Sequence, residues 1–145
     1  MTKSVFCGII GAIGAAIAQF FGGWDNAMVT LVIFMSVDYV SGLAVAGVFK
    51  KSPKSENGGL ESKAGFKGLC RKCMTLIFVM IAHRLDMMLS TDYLRNAVII
   101  GFCVNELVSI IENAGVMGLP LPKPIVNAVD VLKKRGEVDA RSIRN

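Results

Sequence analysis

Charge is the first thing this sequence is short of. Asp, Glu, Lys and Arg make up 19% of its 145 residues and hydrophobic residues 53%, where soluble domains run at about 25% charged and about 45–50% apolar. The shortage is uneven: the first 49 residues hold only Lys3, Asp25 and Asp38, where even mixing would give about nine. Mean hydropathy is +0.56. Such a composition excludes intrinsic disorder, collagen-like repeats and coiled coil, and it is that of a membrane protein.

Reactive chemistry is scarce as well. There is one histidine, His83, and four cysteines. Cys7 and Cys103 fall inside apolar segments, while Cys70 and Cys73 form a single CxxC beside Arg71 and Lys72. A structural zinc site takes four ligands, and no second cysteine pair accompanies this one. No metal, cofactor or disulfide framework is therefore expected. There is no nucleophile–base pair and no phosphate-cradling loop, so no enzymatic activity is expected either. The net charge of +5 and pI near 9.2 raise the question of nucleic acid. The basic residues, however, fall in two blocks beside long apolar segments, with no stacking aromatics interleaved. That pattern fits basic juxtamembrane loops and not a nucleic-acid groove.

What the sequence has in abundance is apolar runs of spanning length, about 17 to 25 residues. Ser4–Phe21 is uncharged, and the turn Gly22-Gly23-Trp24-Asp25-Asn26 follows it. Ala27–Phe49 is interrupted only by Asp38. Cys73–Leu89 is weaker, with His83, Arg84 and Asp86 crowding its far end; His83 and Arg84 are read as marking a headgroup boundary. Leu94–Ile111 carries Asn105 and Glu106. The expected fold is all-α and polytopic, with about four transmembrane helices, three being the alternative. Residues 1–112 form the membrane domain, with a basic loop at 50–72, and residues 113–145 form a basic tail.

Orientation follows from Lys and Arg. The loop holds Lys50, Lys51, Lys54, Lys63, Lys67, Arg71 and Lys72, and the tail holds Lys123, Lys133, Lys134, Arg135, Arg141 and Arg144. With four spans both blocks and both termini face the cytoplasm. Lys3, the apolar run after it and Ala16-Ile17-Ala18 imitate a signal peptide. Cleavage would still leave a polytopic product, so a retained first helix is the favoured reading. Gly65–Leu69 is placed at the interface with Phe66 and Leu69 as anchors. Leu119–Pro124 reads as a stiff spacer before a short basic helix bearing Ile125, Val129 and Leu132 on one face, turned toward anionic lipid.

In lipid, helices associate through close packing and interhelical hydrogen bonds. The first span repeats small residues every fourth position: Gly8, Ala12 and Ala16, then Gly11 and Ala15. Two readings stand, packing against other copies or packing within one monomer. Asp38 lies mid-span, where an ionised carboxylate costs about 2.5–3.5 kcal/mol on insertion scales. Gly42 and Ala46 share its face, which should meet protein or water. In the fourth span Gly101, Asn105 and Ser109 repeat every four residues, Glu106 and Asn113 flank that stripe, and Glu112 sits at the inner end.

Three segments in order carry a family resemblance: Asp38-Tyr39-Val40-Ser41-Gly42; Ser62-Lys63-Ala64-Gly65-Phe66-Lys67-Gly68-Leu69 with Arg71-Lys72; and Asn105-Glu106-Leu107-Val108-Ser109-Ile110-Ile111-Glu112-Asn113 followed by Gly118-Leu119-Pro120. With them, nearly the whole chain resembles a phage lysis holin of the toxin-secretion/phage-lysis family (bacteriophage holin family 4, the TcdE-like group). The resemblance implies a homo-oligomer in the host cytoplasmic membrane that opens lesions. These release an endolysin, a functional partner without direct contact, or assist toxin export. The rival readings are a small ion channel or transporter using Asp38 and Glu106, and an antiholin-like regulator without a lesion of its own.

Overall fold

The computed structural model describes residues 2–144, with the backbone alone for Asp139, Ala140 and residues 142–144. Arg144, counted above in the basic tail, thus lies outside the described side chains. Five helices follow one another: α1 (Thr2–Phe20), α2 (Asn26–Gly47), α3 (Ser62–Leu89), α4 (Leu94–Val116) and α5 (Lys123–Arg144). No strand occurs among the described residues. Three of the helices, α1, α2 and α4, are long and apolar enough to cross a membrane. α3 is longer than any of them but carries Lys63, Lys67, Arg71, Lys72, Arg84 and Asp86.

Each boundary has a local cause. α1 stops at Gly22 and Gly23, both at positive φ, and the Gly23 N–H closes on the Ala18 carbonyl at 2.8 Å. Only glycine adopts that turn at no steric cost. Asp25 then caps α2 by accepting the Met28 N–H at 2.9 Å, which satisfies one of the orphan donors of a helix start. α4 is capped from outside itself: no Tyr93 side chain caps it. Asp86 of α3 instead accepts the Leu94 and Arg95 N–H groups at 3.0 and 2.8 Å and the Thr91 hydroxyl at 2.6 Å. Gly118, at φ 79°, ends α4, and the Leu119 N–H returns to the Ala114 carbonyl.

α2, α3 and α4 form a bundle with α4 against both others. Asp25 meets Arg95 at the start of α2 and α4, and Asp38 meets Asn113 farther along. α2 and α4 therefore point the same way, and α3 is the return leg between them. The core lies between these two polar levels. It consists of Met28, Leu31 and Met35 from α2, Val79 from α3, and Ile99 and Cys103 from α4, with Phe21, Phe34, Leu76 and Phe102 packed around it.

Three expectations change in detail. Gly65–Leu69 is the early part of α3 and not a loop. The stiff spacer shrinks to Leu119–Pro122, because Pro124 tolerates the first turn of α5, where its missing N–H costs nothing. The basic helix after it is long, 22 residues, and buries Val129 in its contact with α4.

Candidate functional site

The inner polar level is built around one lysine. The Lys72 ammonium donates to Asp38 Oδ2 at 2.7 Å and to Glu106 Oε2 at 2.6 Å, joining α2, α3 and α4. All three side chains are nearly enclosed, 10–12% exposed. Asn113 completes the network: its Nδ2 donates to the Ser41 hydroxyl at 2.8 Å and to Asp38 Oδ1 at 3.3 Å. Ser41 in turn donates to the Asp38 carbonyl at 3.0 Å. Among the described residues, no buried side-chain nitrogen or oxygen lacks a partner. Removing one member of such a set leaves a buried charge uncompensated, which is far more costly than never having had the pair.

Helical period explains who joins this level. Residues seven apart on a helix return to within about 20° of each other, so Glu106 and Asn113 share a face. Glu112 is turned about 100–120° away from that face and is exposed. Asn105 is exposed at the residue level and lines a cavity of ≈ 240 Å³ with Asp38, Glu106 and Ser109. Gly42 lies against Asn113, with 3.8 Å from a Cβ placed there to Asn113 Nδ2, and Ala46 is buried. Tyr39 covers Gly65 and Gly68 of α3.

The basic residues separate. Lys63, Lys67 and Arg71 are exposed, whereas Lys72 turns inward. Sequence reasoning placed Lys72 with the cytoplasmic charges and missed its bridge. The signal was present: Lys72, Thr75, Val79, Ala82 and Asp86 follow three- and four-residue steps, and the last four are the buried residues of α3.

The outer level is a clamp that the sequence did not reveal. Arg95, 7% exposed in its side chain, holds Asp25 through two bonds of 2.7 and 3.1 Å. It also donates to the carbonyls of Phe21 and Gly23 in the turn after α1. The guanidinium beside Asp25 holds that carboxyl below the ordinary carboxylate range. His83 closes the level: a Cβ on Gly22 would stand 2.7 Å from its Nδ1 and 2.9 Å from Arg95 Nε. The approach requires glycine.

α1 stands apart. None of its residues is buried. The faces bearing Gly8, Gly11, Ala12 and Ala15 are exposed, and nothing lies within 4 Å of a Cβ built on Gly8, Gly11 or Gly14. Among the described residues, its only helix neighbour is α3.

Residues 15–134 match the bacteriophage holin family. An uncharacterized protein of Listeria monocytogenes is 40% identical over 132 residues, covering 90% of this chain and 88% of its own length. An uncharacterized 14.9 kDa protein of Clostridium perfringens is 30% identical over 126 residues, 86% of this chain and 89% of its own. A probable holin of Bacillus phage phi105 is 24% identical over 104 residues, 71% of each chain. No solved structure matches the chain.

Proposed function

We propose, from the premise that this chain belongs to the bacteriophage holin family, that it oligomerises in the host cytoplasmic membrane and opens lesions through which an endolysin leaves the cell. Families of this kind make membrane pores and are not enzymes. The observation that carries the reading is the uncommitted α1, a 19-residue apolar helix with no buried residue, beside a bundle whose buried polar side chains, among the described residues, are all satisfied internally.

The topology that goes with it has four crossings. α2 and α4 run in the same direction, so if both cross, the chain must come back through the same thickness. α3, about 42 Å at 1.5 Å per residue, is long enough for a hydrocarbon core of about 30 Å. The basic loop, the basic tail and both termini then face the cytoplasm. The inner polar level falls about 17–20 Å from the outer one at the same rise, well inside the hydrocarbon depth.

At low density, the Lys72 ammonium is shared by Asp38 and Glu106 within each protomer, one cation between two carboxylates, and α1 meets lipid. Small residues permit close backbone approach, so rising density brings α1 helices together by mass action. At Gly8, Gly11 and Gly14 no intramolecular neighbour has to be displaced first. Assembly then lets the polar level border water, where ionised groups cost less than in hydrocarbon. Charges that shift depth feel about 2.3 kcal/mol per charge per 100 mV, which couples opening to depolarisation.

The test is induced expression in cells that also make a cytoplasmic endolysin, following muralytic activity in the medium. Release of the enzyme at the moment of lysis is expected. Selective ion flux with the enzyme retained would overturn the reading in favour of a channel.

A further inference from the structure

The ≈ 240 Å³ cavity lies where the loop after α2 folds over the inner polar level. Its floor holds Asp38 and Glu106, already committed to Lys72 at 2.7 and 2.6 Å. The remaining carboxylate on its wall, Glu61, accepts the Glu56 N–H at 3.1 Å. Three cations converge on the same space: Lys54, Lys67 and Arg71. None of them takes part in the three ion pairs found among the described residues. Lys54 has only a long contact to the Ser109 hydroxyl, 3.5 Å. Leu43, Ala46 and Leu60 add an apolar wall.

We propose that this cavity binds the phosphate of an anionic phospholipid headgroup, held by Lys54, Lys67 and Arg71. The lining is net positive by one, four cations (Lys54, Lys67, Arg71 and Lys72) against three carboxylates (Asp38, Glu61 and Glu106), and charge-assisted bonds to phosphate oxygens are the strong kind. The apolar wall calls for an amphipathic molecule. At ≈ 240 Å³ the space falls just under the ~300–1,000 Å³ of pockets for drug-sized ligands, which admits a headgroup and leaves acyl chains outside. The loop's own fold keeps the mouth in place: Ser52 N–H bonds the Gly58 carbonyl at 3.0 Å, and Lys51 N–H bonds the Val45 carbonyl at 3.2 Å. The proposal rests on the membrane reading above, which puts this loop at the inner leaflet. It differs from a diffuse basic field, in which every lysine near the surface counts alike.

Full-length protein in mixed phosphatidylglycerol and phosphatidylcholine micelles is examined by native mass spectrometry for retained lipid. Two charge-matched pairs are compared, Lys54→Gln with Lys67→Gln, and Lys50→Gln with Lys51→Gln; Arg71→Gln is measured separately. One retained phosphatidylglycerol per protomer is expected, with the cavity pair weakening retention roughly tenfold more than the outside pair. Arg71→Gln should weaken it as well. Equal losses in the two pairs would overturn the site in favour of the diffuse field. Displacement by millimolar glycerol phosphate would assign the cations to a soluble phosphate and overturn the lipid as source. Helicity by circular dichroism keeps a folding failure from passing as lost binding. Membrane fractionation of the wild type reads the underlying localisation independently of lipid retention.

Discussion

α1 and the α2–α4 bundle are made of similar material and behave in opposite ways. α1 and α2 are both apolar helices of spanning length. Yet α2 buries Met28, Leu31, Met35, Asp38, Val45 and Ala46, and α1 buries nothing. The difference lies in a few polar side chains. Asp25 and Asp38 on α2 each find a cation on another helix, whereas α1 past its N-terminus has no charge to fix its position. Apolar surface alone gives helices little reason to choose each other in lipid. Polar pairs set the internal architecture, and the helix without them buries none of its residues in it.

Breaking the inner level should have the largest effect. Lys72→Met leaves Asp38 and Glu106 facing each other without the ammonium between them. A loss of about 3–5 kcal/mol is expected in detergent unfolding followed by circular dichroism. Adding Asp38→Asn and Glu106→Gln should restore much of it, and unchanged stability in Lys72→Met would show that the bridge does not hold the bundle. Arg95→Met comes next. It strips the Phe21 and Gly23 carbonyls and Asp25 of their donor, for about 1.5–3 kcal/mol. Faster proteolysis between α1 and α2 should accompany it.

Acid should act through Asp25 more gently. Its carboxyl titrates below the ordinary range because Arg95 favours the ionised form. The stabilisation is therefore complete above the ordinary carboxylate value, about 3.9, and is lost as pH falls through the lowered one. Asp25→Asn should flatten the acid limb of a melting-temperature profile. The carboxylate is half exposed, so the change should stay within about 1 kcal/mol. Gly11→Leu should barely touch the monomer, within about 0.5 kcal/mol, because nothing lies near that position. It should nevertheless remove crosslinked oligomers and delay lysis.

Much of this architecture was legible in the sequence. Helix-length apolar runs place α1, α2 and the start of α4 to within a turn, while α4 runs five residues past the expected Ile111 to Val116, and four-residue spacing brings Asp38, Gly42 and Ala46 onto one face. Lys72 was harder, because a lysine just before an apolar run counts equally as an orientation signal. Only the buried steps that follow it along α3 distinguish the two roles. Arg95 stands at the start of an apolar run, and nothing in its spacing marks the clamp. Its partners are main-chain carbonyls in a turn more than 70 residues earlier, and no periodicity encodes such a contact. The cap on α4 was hidden for the same reason, since Asp86 belongs to the preceding helix.

The most direct test uses the chain's own cysteines. Cys7 is exposed on α1, Cys70 and Cys73 are exposed on α3, and Cys103 is buried. A protein retaining only Cys7 and another retaining only Cys73 would be expressed to rising density in membranes and oxidised. The α1-mediated account expects disulfide-linked dimers through Cys7, increasing with density and abolished by Gly11→Leu. Dimers forming through Cys73, with Cys7 unreactive at every density, would contradict it.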